Sequence, residues 1–192
     1  MAEELIRKLK SLSPLHADLE ERIRKVAYTE ELKAGDIIMR DGDTCRRIAL
    51  VVKGLTRSYY ISDGKDITSR FMEEGYILTS WMSYYSQKPG NEFVEAAEDT
   101  ELACLNYLDI EKLYADFPES NIIGRKQAEY AFYLSEQRTQ LLRKHTAEKK
   151  YELFLEYHPS LITRVPLKHI ATYLGITEET LSRVRSKYHR SR

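Results

Sequence analysis

Cysteine is scarce here: Cys45 and Cys104 are the only two in 192 residues. Two thiols this far apart make neither a disulfide framework nor a metal ribbon. They also fall short of the roughly four cysteines that an iron–sulfur cluster needs. Histidine is missing where a metal-dependent jelly-roll enzyme would require it. His16, His145, His158, His169 and His189 all lie outside Tyr28–Tyr107, so no metal site is expected. No nucleophile–base pair stands out, which argues against an enzyme. No apolar run approaches the roughly 18 residues of a membrane helix. The start, MAEELIRKLK, is charged and amphipathic, without the apolar stretch or cleavage site of a signal peptide. A cytoplasmic chain with no membrane partner is the expectation.

Net charge is also absent, with 30 Lys/Arg against 30 Asp/Glu, but that average conceals an asymmetry. From Arg143 to Arg192, 11 basic residues face 5 acidic ones, leaving 19 against 25 for the rest. An acidic body with a basic end points to a polyanion partner. A solvated charged tail is the plainer alternative.

What is present divides into three stretches. The first 27 residues carry helical spacing at Leu5, Leu9 and Leu12, then at Leu15, Leu19, Ile23 and Val26. Pro14 marks the expected first turn of a second helix. From Tyr28 to Tyr107, short apolar runs alternate with turns: Lys33-Ala34-Gly35-Asp36, Asp41-Gly42-Asp43, Lys53-Gly54, Asp63-Gly64-Lys65, Glu74-Gly75 and Lys88-Pro89-Gly90. Ile48–Val52 and Thr56–Ile61 read as strands, and Asp63-Gly64 is a hairpin signal. Turns about every ten residues predict an antiparallel sandwich or jelly roll. Helix returns near Ile110. Ile122–Leu142 contains no proline and predicts a helix too long for an ordinary globular one. Ile123, Tyr130, Tyr133, Leu134 and Leu141 are its candidate dimer seam, although packing along its own β domain would also use them.

The strongest signal runs from Leu167 to Arg185. Ile170 and Leu174 share a helical face, Ala171 is small where a second helix must cross, and Gly175 suits a left-handed cap. Thr177 and Thr180 offer capping oxygens for the next helix, whose Leu181 and Val184 face inward. These positions fit a helix-turn-helix, and an ordinary helical hairpin is the plainer reading. The basic run Arg183, Arg185, Lys187, Arg190 and Arg192 favours the former. Its second helix would enter the major groove. Arg183 could donate to guanine and Glu179 accept from cytosine, with Ser182 completing the reading set. Lys168, Thr180, Arg185 and Lys187 are candidates for phosphate contacts. Thr177 and Glu178 lie at the same end.

A helical start, a small β-roll, a long helix and a terminal helix-turn-helix, in this order, resemble the Crp/Fnr family of bacterial regulators. The motifs that carry the resemblance are Lys33-Ala34-Gly35-Asp36, Val52-Lys53-Gly54, Asp63-Gly64-Lys65, Glu74-Gly75 and Glu179-Thr180-Leu181-Ser182-Arg183. The last is similar to the Glu-x-x-Ser-Arg pattern of the Fnr-like branch. The resemblance implies an α+β fold in three parts. These are a cyclic-nucleotide-binding-like antiparallel β-roll over 1–117, a long dimerisation helix and linker over 118–145, and a helix-turn-helix domain over 146–192. It further implies a homodimer on a two-fold symmetric operator in double-stranded DNA, with RNA polymerase as a further partner. Half-sites would be about 34 Å apart. Family members usually continue into a wing, and a reduced one would leave fewer DNA backbone contacts. A ligand-binding β-roll whose helical end binds protein is the competing function.

Cyclic-nucleotide-binding relatives carry a Gly-Glu pair for the ribose and an Arg-Ser or Arg-Thr pair for the phosphate. Thr79-Ser80 stand in place of the first, and Glu92 in place of the arginine. A carboxylate repels a phosphate, so the expectation is no cyclic AMP and no cofactor, with the effector unidentified. Gly75, Thr79, Ser80, Trp81, Glu92 and Phe93 are the candidate effector pocket. The aromatic set Tyr76, Trp81, Tyr84, Tyr85 and Phe93 suits an apolar ligand, or simply completes the core.

Overall fold

A computed structural model describes residues 1–190. It opens with helices α1 (Ala2–Leu12) and α2 (Ala17–Val26). Strands follow as β1 (Tyr28–Leu32), β2 (Ile37–Met39), β3 (Arg47–Lys53), β4 (Thr56–Ser62), β5 (Lys65–Met72) and β6 (Ile77–Leu78). The short helix α3 (Trp81–Ser86) precedes β7 (Phe93–Ala96) and β8 (Thr100–Asn106). The remainder is helical: α4 (Tyr107–Asp116), α5 (Pro118–Lys144), α6 (Ala147–Tyr157), α7 (Leu161–Arg164), α8 (Leu167–Leu174) and α9 (Glu178–Arg190). The fold is α+β, with antiparallel sheets, a long helix after the roll and a helical end.

The chain divides into two compact units: Met1–Tyr60 with Arg70–Glu129, and Ile61–Ser69 with Tyr130–Arg192. The division falls inside α5 and within strands β4 and β5.

In the first unit, two four-stranded sheets run in the orders β1-β8-β3-β6 and β2-β7-β4-β5. Leu102, Ala103, Cys104 and Leu105 of β8 are all buried, because α1 and α4 cover one face of that sheet and the roll interior covers the other. A strand covered on both faces loses the apolar/polar alternation of a half-exposed one. Each fully buried leucine there contributes roughly 1.5–3 kcal/mol. Both cysteines are free and buried, and burial pushes the Cys104 thiol up to about 12. Gly54 has a φ of +93°, and a Cβ there would lie 2.5 Å from the Asp99 carbonyl. Only glycine lets β3 turn into β4 at this point.

Three local expectations are corrected. Pro14 precedes α2 instead of sitting in its first turn, because His16 holds the N-cap position. Helix returns at Tyr107, not Ile110. The stretch read as strands and turns contains α3, which follows Ser80 and ends at Gln87 in a left-handed conformation (φ 51°). The Asp63-Gly64 turn forms as expected, with both residues at positive φ.

Candidate nucleic-acid interface and ligand cavities

The helix-turn-helix is built by local rules. Gly175 adopts the left-handed conformation at φ 62°, and the Ile176 and Gly175 amides donate to the Ala171 and Thr172 carbonyls at 3.1 Å each. This satisfies carbonyls that the end of α8 would leave open. Thr177 then caps α9, its Oγ1 accepting from the Thr180 amide at 3.1 Å. Ile170, Leu174 and Leu181 are fully buried, and Ala171 and Val184 nearly so. Leu161, Tyr151 and Phe154 complete this small core. Tyr173 lies under the Arg138 guanidinium at 3.7 Å from the ring centre, a cation–π contact.

The other side of α9 is polar and open. Glu178, Glu179, Ser182, Arg183 and Lys187 are exposed, as is Lys168 on α8. Ser182, Arg183, Ser186, Lys187 and Arg190 line one shallow concavity. Thr180 is half-buried, and its Oγ1 accepts from Thr177 at 2.9 Å and from Arg183 Nη2 at 3.4 Å. Arg183 is thereby oriented along the helix while still exposed. Lys187 lies 3.6 Å from Glu148. Ser186 and Arg190 join the face at helical spacing from Ser182 and Arg183, a periodicity already readable in the sequence. Arg192 of the basic run lies outside the described residues. Arg185 departs from expectation: it is half-buried and its Nε is enclosed. It faces Tyr151, whose pKa is raised by burial and lowered in part by this guanidinium. Part of its guanidinium therefore packs within the module.

The hairpin tip belongs to the same unit. The Thr68 amide donates to Thr172 Oγ1 at 3.2 Å, and Arg138 Nη2 donates to the Thr68 carbonyl at 3.4 Å. His169 Nδ1 lies 3.6 Å from Asp66.

The six candidate effector residues do not converge. Gly75 is an exposed turn residue with open space about it. Thr79 and Ser80 line a cavity of about 360 Å³ of mixed polarity together with Arg46, Arg47 and Asn106. There Thr79 donates to the Arg47 carbonyl at 3.0 Å, and Arg47 is paired with Glu30. Trp81 stacks on Tyr85 at 5.8 Å and lines a separate apolar cavity. Phe93 stacks on Tyr59 at 5.2 Å. Glu92 accepts two contacts from Arg70 Nη2, at 2.9 and 3.2 Å. A second pair, Arg57–Glu95 at 2.8 Å, lies nearby with Arg57 almost fully buried. Neither arginine was singled out by sequence: Arg57 meets Glu95 through the β4–β7 register, and Arg70 meets Glu92 just before β7.

The seam residues also divide. Ile123 and Leu141 are buried within the chain, and Leu134 is half-buried. Ile123 and Leu141 therefore serve the interior instead of a seam. Tyr130 and Tyr133 are exposed, joined by Ile122 and by Phe132, which is 68% exposed. Among the described residues, no group of three or more His, Cys, Asp or Glu side chains could hold a metal ion. No described helix is long and apolar enough to cross a membrane.

Residues 29–117 match the cyclic nucleotide-binding domain family. FixK2 from Bradyrhizobium japonicum superposes with a TM-score of 0.72 at 24% identity, covering 86% of each chain. The chain has a Crp/Fnr-like fold. A protein from Eubacterium rectale described as a Crp/Fnr-family transcriptional regulator reaches 0.73 at 20% identity. That alignment covers 92% of this chain and 85% of the relative. CLP, the c-di-GMP-responsive global regulator of Xanthomonas campestris, reaches 0.66 at 16% identity over 92% and 93%. No curated protein sequence matches this Crp/Fnr-fold chain.

Proposed function

We propose that this protein is a homodimeric, sequence-specific DNA-binding transcription regulator of the Crp/Fnr type. The observation that carries the reading is α9. It is capped by Thr177, anchored by buried Leu181 and Val184, and turns Glu179, Ser182, Arg183, Ser186, Lys187 and Arg190 outward. Glu179, Ser182 and Arg183 read base edges in the major groove. Lys168, Lys187 and Arg190 hold phosphates, which position the helix without specifying sequence. The dimer forms along α5 through exposed Ile122, Tyr130, Phe132 and Tyr133. Two copies so related address a two-fold symmetric operator, and RNA polymerase is the expected further partner in the cytoplasm.

Salt dependence tests the DNA reading. Log affinity for duplex DNA, measured by fluorescence anisotropy, should fall linearly with log salt. The slope should be about −0.9 per phosphate neutralised. For about six contacts in the dimer, roughly a thousandfold is lost between 50 and 200 mM salt. A helical end that binds protein instead of DNA gives no such slope.

The effector of the proposed regulator is not cyclic AMP. Arg70 is the arginine beside Glu92, and the Glu92 carboxylate already occupies it. A phosphate would have to displace that charge-assisted pair and then face the released carboxylate. Calorimetric titration with cyclic AMP is expected to show no saturable heat in the micromolar range; saturable micromolar binding contradicts this assignment.

A further inference from the structure

The first unit contains an apolar cavity that the proposed DNA reading does not use. It holds about 70 Å³ among α1, α2, the β1-β8-β3-β6 sheet, α3, α4 and the start of α5. Leu9, Ile23, Ile48, Leu105, Leu113 and Ile123 form its walls. Polar groups interrupt them, among them those of Gln127, Tyr84 and Tyr114. Gln127 Oε1 is enclosed and accepts no hydrogen bond. The Tyr84 and Tyr114 phenols also line the space, and burial raises the pKa of both. Neither phenol is hydrogen-bonded among the described residues. Gly124 admits Tyr114 this close to α5, because a Cβ there would lie 2.3 Å from the Tyr114 hydroxyl.

We infer that this cavity is a binding site for a small neutral hydroxyl compound, of the class of short alcohols and phenol. Apolar walls exclude a charged ligand, because a charge without a partner is strongly penalised there. An enclosed acceptor and two phenols on one cavity lining call for a group that both donates and accepts, and a hydroxyl does both. Its proton goes to Gln127 Oε1, and its oxygen accepts from Tyr84 or Tyr114. The space, open on one side, is about half the 150 Å³ of an apolar cavity that takes up benzene. It therefore receives the hydroxyl end of the ligand. Trp81 and the exposed Tyr85 form the part of the lining nearest solvent, where the rest of a small ring rests against an aromatic face. Ordered water also donates and accepts, and is the competing occupant.

The test compares phenol with toluene, which have nearly the same shape and differ in the hydroxyl. Each is titrated into the intact protein while the methyl resonances of Ile48, Ile110 and Ile123 are followed by NMR. Saturable shifts are expected, with phenol binding at least tenfold more tightly than toluene. Gln127→Leu should abolish that preference while leaving the remaining methyl spectrum folded. Gln127→Met gives the same comparison if the leucine variant does not fold. Absence of saturable shifts, equal affinities in the unaltered protein, or a phenol preference that survives in the folded variant each overturns the inference. The measurement uses no DNA, so its outcome is separate from that of the salt titration.

Discussion

Operator affinity is expected to fall by roughly 1–3 kcal/mol, about five- to 150-fold, when Arg183 is replaced by alanine. The guanidinium is exposed on α9 and steadied by Thr180 Oγ1. A planar fork held in this way suits two parallel bonds to one guanine edge. The loss should be concentrated at one base pair of each half-site, so preference there relaxes while the rest of the site is read as before. Thermal stability should barely change, because Arg183 supports no buried contact. Lys187→Ala supplies the contrast: it weakens binding nearly uniformly across sequences and reduces the salt slope by about one. Electrophoretic or anisotropy titration against single-base operator variants distinguishes the two. Unchanged operator binding by the Arg183 variant would remove it from the reading set.

A larger effect is expected on stability from Leu181→Ala. Leu181 is fully buried between α9 and the helices it packs against, with Ile170, Leu174 and Val184 among the other buried residues of that module. Truncating a buried leucine costs about 2–5 kcal/mol, combining lost transfer energy with the cavity left behind. Against a typical total of 5–15 kcal/mol, this removes much of the margin of the second unit. Chemical denaturation should show that unit unfolding at lower denaturant, and DNA binding should fail at every sequence alike. A variant with the stability of the parent would show that α9 is held by something other than this core.

The two replacements sit two residues apart and act through different physics, which reflects how much of the site could be read in advance. The helix-turn-helix was legible because its signals are local. Gly175 sets a left-handed cap, Thr177 a helix start, and the 170/174/181/184 spacing an inward face. The roll was legible through its turns, Gly54 and Asp63-Gly64 among them. What escaped depends on contacts distant in sequence. Arg70 meets Glu92 across 22 positions and Arg57 meets Glu95 across 38, the latter through the β4–β7 register. Helix α5 carries apolar residues on more than one face, so periodicity could not say that Ile123 and Leu141 turn inward while Phe132 remains exposed. Arg185 looked free by its spacing, yet α6 brings Tyr151 against it. Helix α3 had no period to announce it at six residues. The expected effector pocket dispersed for the same reason. Thr79 and Ser80, Trp81, and Glu92 with Phe93 lie near one another in the chain, but the end of β6, the start of α3 and the start of β7 send them to separate places.

Selection of bound duplexes from a random pool by the full chain tests the central claim most directly. The account predicts enrichment of a two-fold symmetric sequence with half-site centres about 10 base pairs, or roughly 34 Å, apart, and loss of one specified position in each half-site when Arg183→Ala replaces the parent. A pool that remains random, or a site without two-fold symmetry that both proteins select equally, would contradict it.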